Sequence, residues 1–200
     1  NITVTRDDFF VLDSMINIII YCTISECFGV RLINSSGNYI LGNLFKGNGY
    51  SGLFLYSSDG NRIEKNVASE NEQNGLSLLS CNQNIIRDNS VQKNLVTGIW
   101  LNLSNDNQIY ENNITANSLG CQLSFSTGNT IYHNNFIDNI EHSIDTEGGN
   151  SWDAGNNTGG NYWSDHSARG NPSSDWPRSI KGGIAIDNYP FQDVNGWLAA

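Results

Sequence analysis

Asn61-Arg62-Ile63-Glu64-Lys65-Asn66-Val67-Ala68-Ser69-Glu70-Asn71 is answered 23 residues later by Asn84-Ile85-Ile86-Arg87-Asp88-Asn89-Ser90-Val91-Gln92-Lys93-Asn94. Both stretches carry Asn at the first, sixth and eleventh places, Ile at the third and an apolar residue at the eighth. The frame returns on either side. Its first Asn falls at Asn38, Asn61, Asn84, Asn107 and Asn129. Its second falls at Asn43, Asn66, Asn89, Asn112 and Asn134, and its third at Asn48, Asn71, Asn94, Asn117 and Asn139. The Ile place holds Ile40, Ile63, Ile86, Ile109 and Ile131, and the eighth place Phe45, Ala68, Val91, Ile114 and Phe136. A Gly-apolar-x-Leu unit follows at 52–55, 75–78, 98–101 and 120–123. The last spacing, 22, fits one deletion between Asn117 and Gly120. An earlier, degenerate repeat puts Asn17 and Ile19 in the first columns, and Cys22 and Cys27 on the second and third Asn columns.

Each repeat has three short apolar stretches with period-two alternation, separated by polar corners. None is long enough for an amphipathic helix, and i, i+3, i+4 spacing is absent. Three short strands per turn make a triangular coil, and successive coils pair in parallel about 4.8 Å apart. Asn suits the corners because it tolerates the left-handed region and bonds its own backbone. Stacked corner Asn residues also bond one another's amides. The expectation is an all-β, right-handed parallel β-helix of six or seven coils over residues 1–149. Residues 150–200 are expected to form a loop-rich aromatic cap. A β-sandwich with Asn-rich turns would not need the fixed period.

The composition agrees. Among 200 residues, 31 are Asn and 20 are Gly, and 20 acids against 10 Lys and Arg leave a formal charge of −10. That balance argues against a nucleic acid partner. The apolar run at 18–21 is far too short to span a bilayer, so no membrane-spanning segment is expected. No basic-then-apolar leader opens the sequence, which reads as a mature product, an excised domain or a cytoplasmic chain. The truncated first coil suggests further chain, or another cap, upstream.

The four cysteines read as buried thiols and not as a disulfide framework. Cys121 takes an inward Leu place, Cys22 and Cys27 replace Asn, and Cys81 aligns with Ser58. No CxxC pair supports zinc. After Asn139 the pattern fades: Asn150-Ser151-Trp152 reads as a last rung, followed by Tyr162, Trp163, Trp176, Tyr189, Phe191 and Trp197. An open solenoid end must be covered, and aromatics bury much area per residue. A short strand is expected at 183–186. An aromatic ligand cage is the alternative use of these rings.

The Asn-x-Ile-x-x-Asn units, Asn150-Ser151-Trp152-Asp153, Gly160-Asn161-Tyr162-Trp163-Ser164-Asp165 and Ile186-Asp187-Asn188-Tyr189-Pro190-Phe191 resemble NosD-like proteins. These belong to the β-helix repeats shared by carbohydrate-binding proteins and sugar hydrolases, and the chain looks like cell-surface proteins of methanogenic archaea. The resemblance implies an extracellular or cell-surface protein without implying one catalytic activity. Members often continue with an Asp–Gly run suited to calcium. Here 166–175 holds one acid, Asp175, so calcium is left without support and no cofactor is expected.

The register turns the sequence into surface columns. One column is Gly42, Lys65, Asp88, Glu111 and His133, beside Leu41, Glu64, Arg87, Tyr110 and Tyr132. Paired carboxylates with Lys, Arg or His suit proton abstraction from, or hydrolysis of, a polysaccharide. Asp88, Glu111, His133, Lys65 and Arg87 are therefore the catalytic candidates; a solvated face with weak ion pairs is the plainer reading. On the Gly-apolar-x-Leu strand, Phe54, Ser77, Trp100 and Gln122 point outward, with Tyr56 and Asn102 beyond them. Exposed aromatics among amides and hydroxyls are what a sugar ring stacks on. These six are the carbohydrate-binding candidates, unless a loop or neighbour covers them.

No metal site is expected: His133, His142 and His166 form no column, and Met15 is the single Met. Ser164, Asp165 and His166 are triad types, but adjacency in sequence is not triad geometry. Asn-x-Ser/Thr sites at Asn1, Asn34, Asn102, Asn113 and Asn156 are compatible with glycosylation. The leading expectation is a surface module that binds polysaccharide or builds the envelope, with surface glycans and envelope proteins as partners. A polysaccharide lyase or hydrolase and a NosD-like metal-delivery accessory are the alternatives.

Overall fold

The structure is a computed structural model that describes residues 3–5, 9–13, 15 and 17–198. One coil shows how the repeat folds. Strand Arg62–Glu64 ends at a corner on Lys65, strand Val67–Ser69 ends at a corner on Glu70, and a loop leads to strand Leu76–Leu79, which ends on Ser80. Each strand pairs in parallel with its counterpart one repeat on, so Ile63 meets Ile86, Ala68 meets Val91 and Leu78 meets Leu101. Among the described residues this yields walls of six, seven and eight strands. The result is a right-handed parallel β-helix of about six coils. The first wall runs from Ile18–Ile20 to Thr130–Tyr132, the second from Thr3–Thr5 to Tyr162–Trp163, and the third from Phe9–Leu12 to Glu141–Asp145.

The inward columns form the core. Ile40, Ile63, Ile86, Ile109 and Ile131 are fully buried, as are Phe45, Ala68, Val91, Ile114 and Phe136. Each buried aliphatic side chain contributes roughly 1.5–3 kcal/mol. Cys22, Cys27, Cys81 and Cys121 are free and buried, and Cys121 takes a Leu place in the third wall.

The corners differ from expectation in one respect. The left-handed residue is the one before each Asn: Lys65, Asp88, Glu111 and His133 have φ of 55°, 55°, 58° and 55°. The Asn that follows turns its amide inward, where stacking rewards it. Asn66 donates from both N and Nδ2 to Asn89 Oδ1, at 2.9 and 3.0 Å, and Nδ2 also reaches back to Ile40 O at 2.9 Å. The pattern repeats on all three Asn columns, so each amide string runs one way, donors toward the C-terminal end. A parallel string of hydroxyls and a thiol joins Ser35, Ser58, Cys81, Ser104 and Ser126, each backbone N–H donating to the next side chain.

A one-way string must end on an acceptor. The first ladder ends where Asn150 Nδ2 and Trp152 Nε1 donate to the buried carboxylate of Asp145, at 3.0 Å each. The third ends where Asn139 Nδ2 donates to His142 Nδ1 at 3.2 Å. The second continues past Asn134 to Asn161 and ends on Asp187, which also accepts from Trp163 Nε1 at 2.8 Å and Tyr189 N at 3.1 Å. Gly160 is obligatory here, because a Cβ would lie 1.8 Å from Asp187 Oδ1.

The cap is built on these ends. Ser151 pairs with Thr130, which puts Trp152 over the Ile column, and Trp163 stacks on Phe136 at 4.3 Å. Both Trp rings are buried plugs of the coil's open end, not a ligand cage. The expected strand at 183–186 begins later, as Ile186–Asp187 antiparallel to Arg178–Ser179.

Asn89→Ala would remove the acceptor of Asn66 N and one of the two acceptors of Asn66 Nδ2, together with the donor to the carbonyls of Ile63 and Arg87. At about 1–3 kcal/mol for each buried group left unsatisfied, the loss should reach about 3–5 kcal/mol in denaturant unfolding. Asn113→Ala, at an exposed site on a neighbouring coil, should stay within about 0.5 kcal/mol of wild type.

Burial pushes the Asp187 carboxyl up to about 7 against the donors that pull it down. Unfolded, it would titrate near its ordinary 3.8, so folding takes up a proton between those values and stability falls as pH rises toward 7. His142 opposes this below its ordinary 6.5, because burial lowers its pKa and folding expels its proton. Comparison with Asp187→Asn separates the two. The advantage of wild type in melting temperature should shrink by several degrees from pH 5 to pH 7.5; a constant difference would show that Asp187 does not titrate there.

Candidate functional site

On the third wall the outward side chains line up as the register requires: Phe54, Ser77, Trp100 and Gln122 are successive partners, with Tyr56, Leu79, Asn102 and Ser124 beside them. The loops that enter this wall rise above its floor. Between them lies a hollow of about 330 Å³ lined by Tyr50, Gln73, Asn74, Val96, Thr97, Trp100 and Gln122. Its lining carries amides, hydroxyls and aromatic rings, with no acid and no basic side chain.

Several of these groups are held in place. Asn74 Oδ1 accepts from Thr97 N at 3.0 Å, which directs Asn74 Nδ2 to Ser77 Oγ at 3.0 Å. Ser77 is buried and also meets Ser51 Oγ at 2.9 Å, so it supports the floor from within. Tyr50 stands edge-on to Phe54, with ring centroids 6.2 Å apart, and the guanidinium of Arg31 lies 5.5 Å from its ring. Gln122 Nε2 donates to Ser124 Oγ at 3.2 Å. Of the six residues expected to bind carbohydrate, Trp100 and Gln122 line the hollow, Ser77 lies beneath it, and Phe54 backs Tyr50. Tyr56 and Asn102 stand toward the next corner, outside the lining. The outward strand positions alone did not reveal Tyr50, Gln73, Asn74 and Val96, which come from the loop between the third Asn and the Gly of each repeat, or Thr97, which opens the strand Thr97–Asn102.

The catalytic candidates take a different place. Lys65, Asp88, Glu111 and His133 form one row along the corner between the first and second walls, a convex edge. Arg87 is not in that row. It lies on the first wall, where Arg87 Nη2 and Arg62 Nε donate to Glu64 at 3.1 and 2.9 Å, and Tyr39 donates to Glu64 at 2.9 Å. Burial pushes the Glu64 carboxyl up, but these hydrogen bonds outweigh it and hold the group below the usual range. His133 is engaged by the cap: Nε2 lies 2.6 Å from Thr158 O, and the ring stacks on Trp197 at 5.1 Å.

A further polar cluster sits at the cap. Arg178 pairs with Asp165 through two hydrogen bonds, at 2.9 and 3.2 Å, and lies 4.0 Å over the Trp163 ring. Ser164 Oγ is 3.3 Å from His142 Nε2, whereas His166 Nε2 meets Trp176 O at 2.9 Å. The cluster is not a triad. Asn139 takes up the Asn117 donors on its Oδ1, which turns its Nδ2 toward His142 Nδ1. The neutral ring therefore carries its proton on Nε2 and donates there, so it does not accept the Ser164 proton.

The geometry defines a class: a right-handed parallel β-helix with ladder-terminated ends and an uncharged groove on one wall. A family model described as periplasmic copper-binding protein (NosD) matches residues 1–168, and the chain belongs to that family. Among curated proteins none matches the chain. Among solved structures, it is similar to the periplasmic alginate epimerase AlgG, at 22% identity and TM-score 0.56 over 69% of this chain and 39% of that one. It is also similar to the A-modules of the Azotobacter vinelandii mannuronan C-5 epimerases AlgE6 and AlgE4. These match at 12% and 18% identity, with TM-scores 0.53 and 0.52, over 72% and 74% of this chain and 56% and 55% of theirs. The chain thus spans between two fifths and just over half the length of these enzymes, and the likeness is one of fold.

The family description raises copper, and the donor set does not fit it. Among the described residues no group of three His, Cys, Asp or Glu side chains gathers to hold a metal ion. The three His rings are each engaged by a different partner, the four Cys are buried, with Cys22 and Cys27 at two corners of one coil and Cys81 and Cys121 on others, and Met15 is exposed.

Proposed function

We propose that the chain is an exported β-helix module that binds polysaccharide in the groove of its third wall. The observation that carries this reading is the 330 Å³ hollow in which Trp100 and Tyr50 stand among Gln73, Asn74, Thr97 and Gln122. A ring face beside fixed amides gives a sugar both its apolar and its hydrogen-bonding contacts. Two neighbours of like fold act on a polysaccharide by their names, and the family is described as periplasmic. These descriptions support export; the Gly160–Asp165 signature is the ground for placing this chain at the cell surface. Display of a rigid glycan-binding wall also suits a structural part in the envelope.

A glycan array with the full chain should return bound polysaccharides, and Trp100→Ala should weaken them about tenfold, the equivalent of one lost stacking contact. The variant should keep the wild-type melting temperature to within a few degrees, since Trp100 faces outward. Equal binding by the two proteins would remove this groove from consideration.

A further inference from the structure

We infer that the groove selects an uncharged saccharide, in contrast to the acidic alginate named for the structural neighbours. This rests on the groove being the glycan site.

The lining decides the chemistry. None of Tyr50, Gln73, Asn74, Val96, Thr97, Trp100 and Gln122 carries a charge that could pair a uronate carboxylate. A carboxylate moved out of water without a cation partner is strongly disfavoured, whereas a sugar hydroxyl needs one donor and one acceptor, which an amide supplies together. The rim reinforces this. Gly49 and Glu72, the chain neighbours of Tyr50 and Gln73, line an adjoining hollow of about 340 Å³ with Glu26, so acids flank the groove on that side. Arg31, the cation that touches a lining ring, lies over Phe28 and Tyr50, at 5.4 and 5.5 Å, outside the lining. The whole chain, at a formal −10, repels a polyanion at long range as well. A uronate chain meets neither a partner in the groove nor attraction on approach. A neutral hexosyl segment meets two aromatic faces and three amides.

The groove volume sits at the low end of ordinary small-ligand pockets, about 300–1,000 Å³. The occupant is therefore a short stretch of a longer chain, entering along the open wall.

Calorimetric titrations of the full chain with neutral hexamers (β-1,3-glucan, β-1,4-glucan and β-mannan) and with mannuronate and guluronate hexamers test this. At least one neutral hexamer should bind, with an affinity that changes less than twofold between low and high salt and falls about tenfold in Trp100→Ala. The uronate hexamers should bind at least tenfold more weakly, and Gln73→Lys should narrow that gap. Uronate binding as tight as neutral binding, reduced by salt and by Trp100→Ala, would overturn the selectivity and leave the groove as the glycan site. Binding unaffected by Trp100→Ala, or no binding of any hexamer, would overturn both.

Discussion

The fold depends on a hydrogen bond between amides 23 residues apart. Asn66 gives two donors to Asn89 Oδ1 and a third to the preceding coil, and no other side chain offers one acceptor and two donors at that length inside the core. Buried polar groups are tolerated when every member is paired, and a half-paired string is worse than an apolar one. The Asn columns are therefore a collective commitment: each amide is satisfied because its neighbours above and below are. This is why the repeat keeps its Asn at three corners while Phe45, Ala68 and Val91 vary freely in the core beside them.

The direction of the strings explains the cap. All three push donors toward the C-terminal end, and each meets an acceptor there: Asp145, Asp187 or His142. The run Gly160-Asn161-Tyr162-Trp163-Ser164-Asp165 then has a physical meaning residue by residue. Gly160 clears space for Asp187, Asn161 is the last amide of its ladder, and Trp163 closes the core and donates to the same carboxylate. Ser164 accepts from the Asp138 amide, and Asp165 holds Arg178 across the outside of Trp163. At the other end Asn17 donates from N and Nδ2 to Asn38, whereas Cys22 and Cys27 stand in place of Asn on the second and third strings, Cys22 giving its backbone N–H and Cys27 its N–H and thiol.

Whatever repeats was legible in the sequence. The period, the inward Ile and Leu columns, the Asn ladders, the cysteine places and the outward Trp100 and Gln122 all follow from counting in register. What does not repeat was hidden. Asp187 meets Asn161 from 26 residues away through a hairpin with no counterpart in the coils. Tyr50, Gln73 and Val96 stack 23 residues apart, as do Asn74 and Thr97, but these positions carry unlike side chains from coil to coil, so counting alone does not mark them. His133 belonged to a column by number, yet the cap closed over it, because Trp197 returns from far along the chain to stack on its ring. A periodic text reports the lattice and is silent about what folds back onto it.

Lattice and groove nevertheless meet at one place. The loops that form the groove leave the third ladder at Asn71 and Asn94 and rejoin the wall at Gly75 and Gly98. Those glycines pack against the same ladder. A Cβ on Gly75 would stand 2.9 Å from Asn94 Nδ2, and one on Gly98 would stand 3.0 Å from Asn117 Nδ2 and 2.6 Å from Gly120 O. Both ends of each loop are thus fixed on buried amides one coil apart. Loops rooted so closely have little freedom to lose when a ligand arrives, which is where binding affinity is usually forfeited. The ladder that makes the solenoid possible also sets how Gln73 and Thr97 face Trp100, so the recognition surface inherits its rigidity from the interaction that specifies the fold.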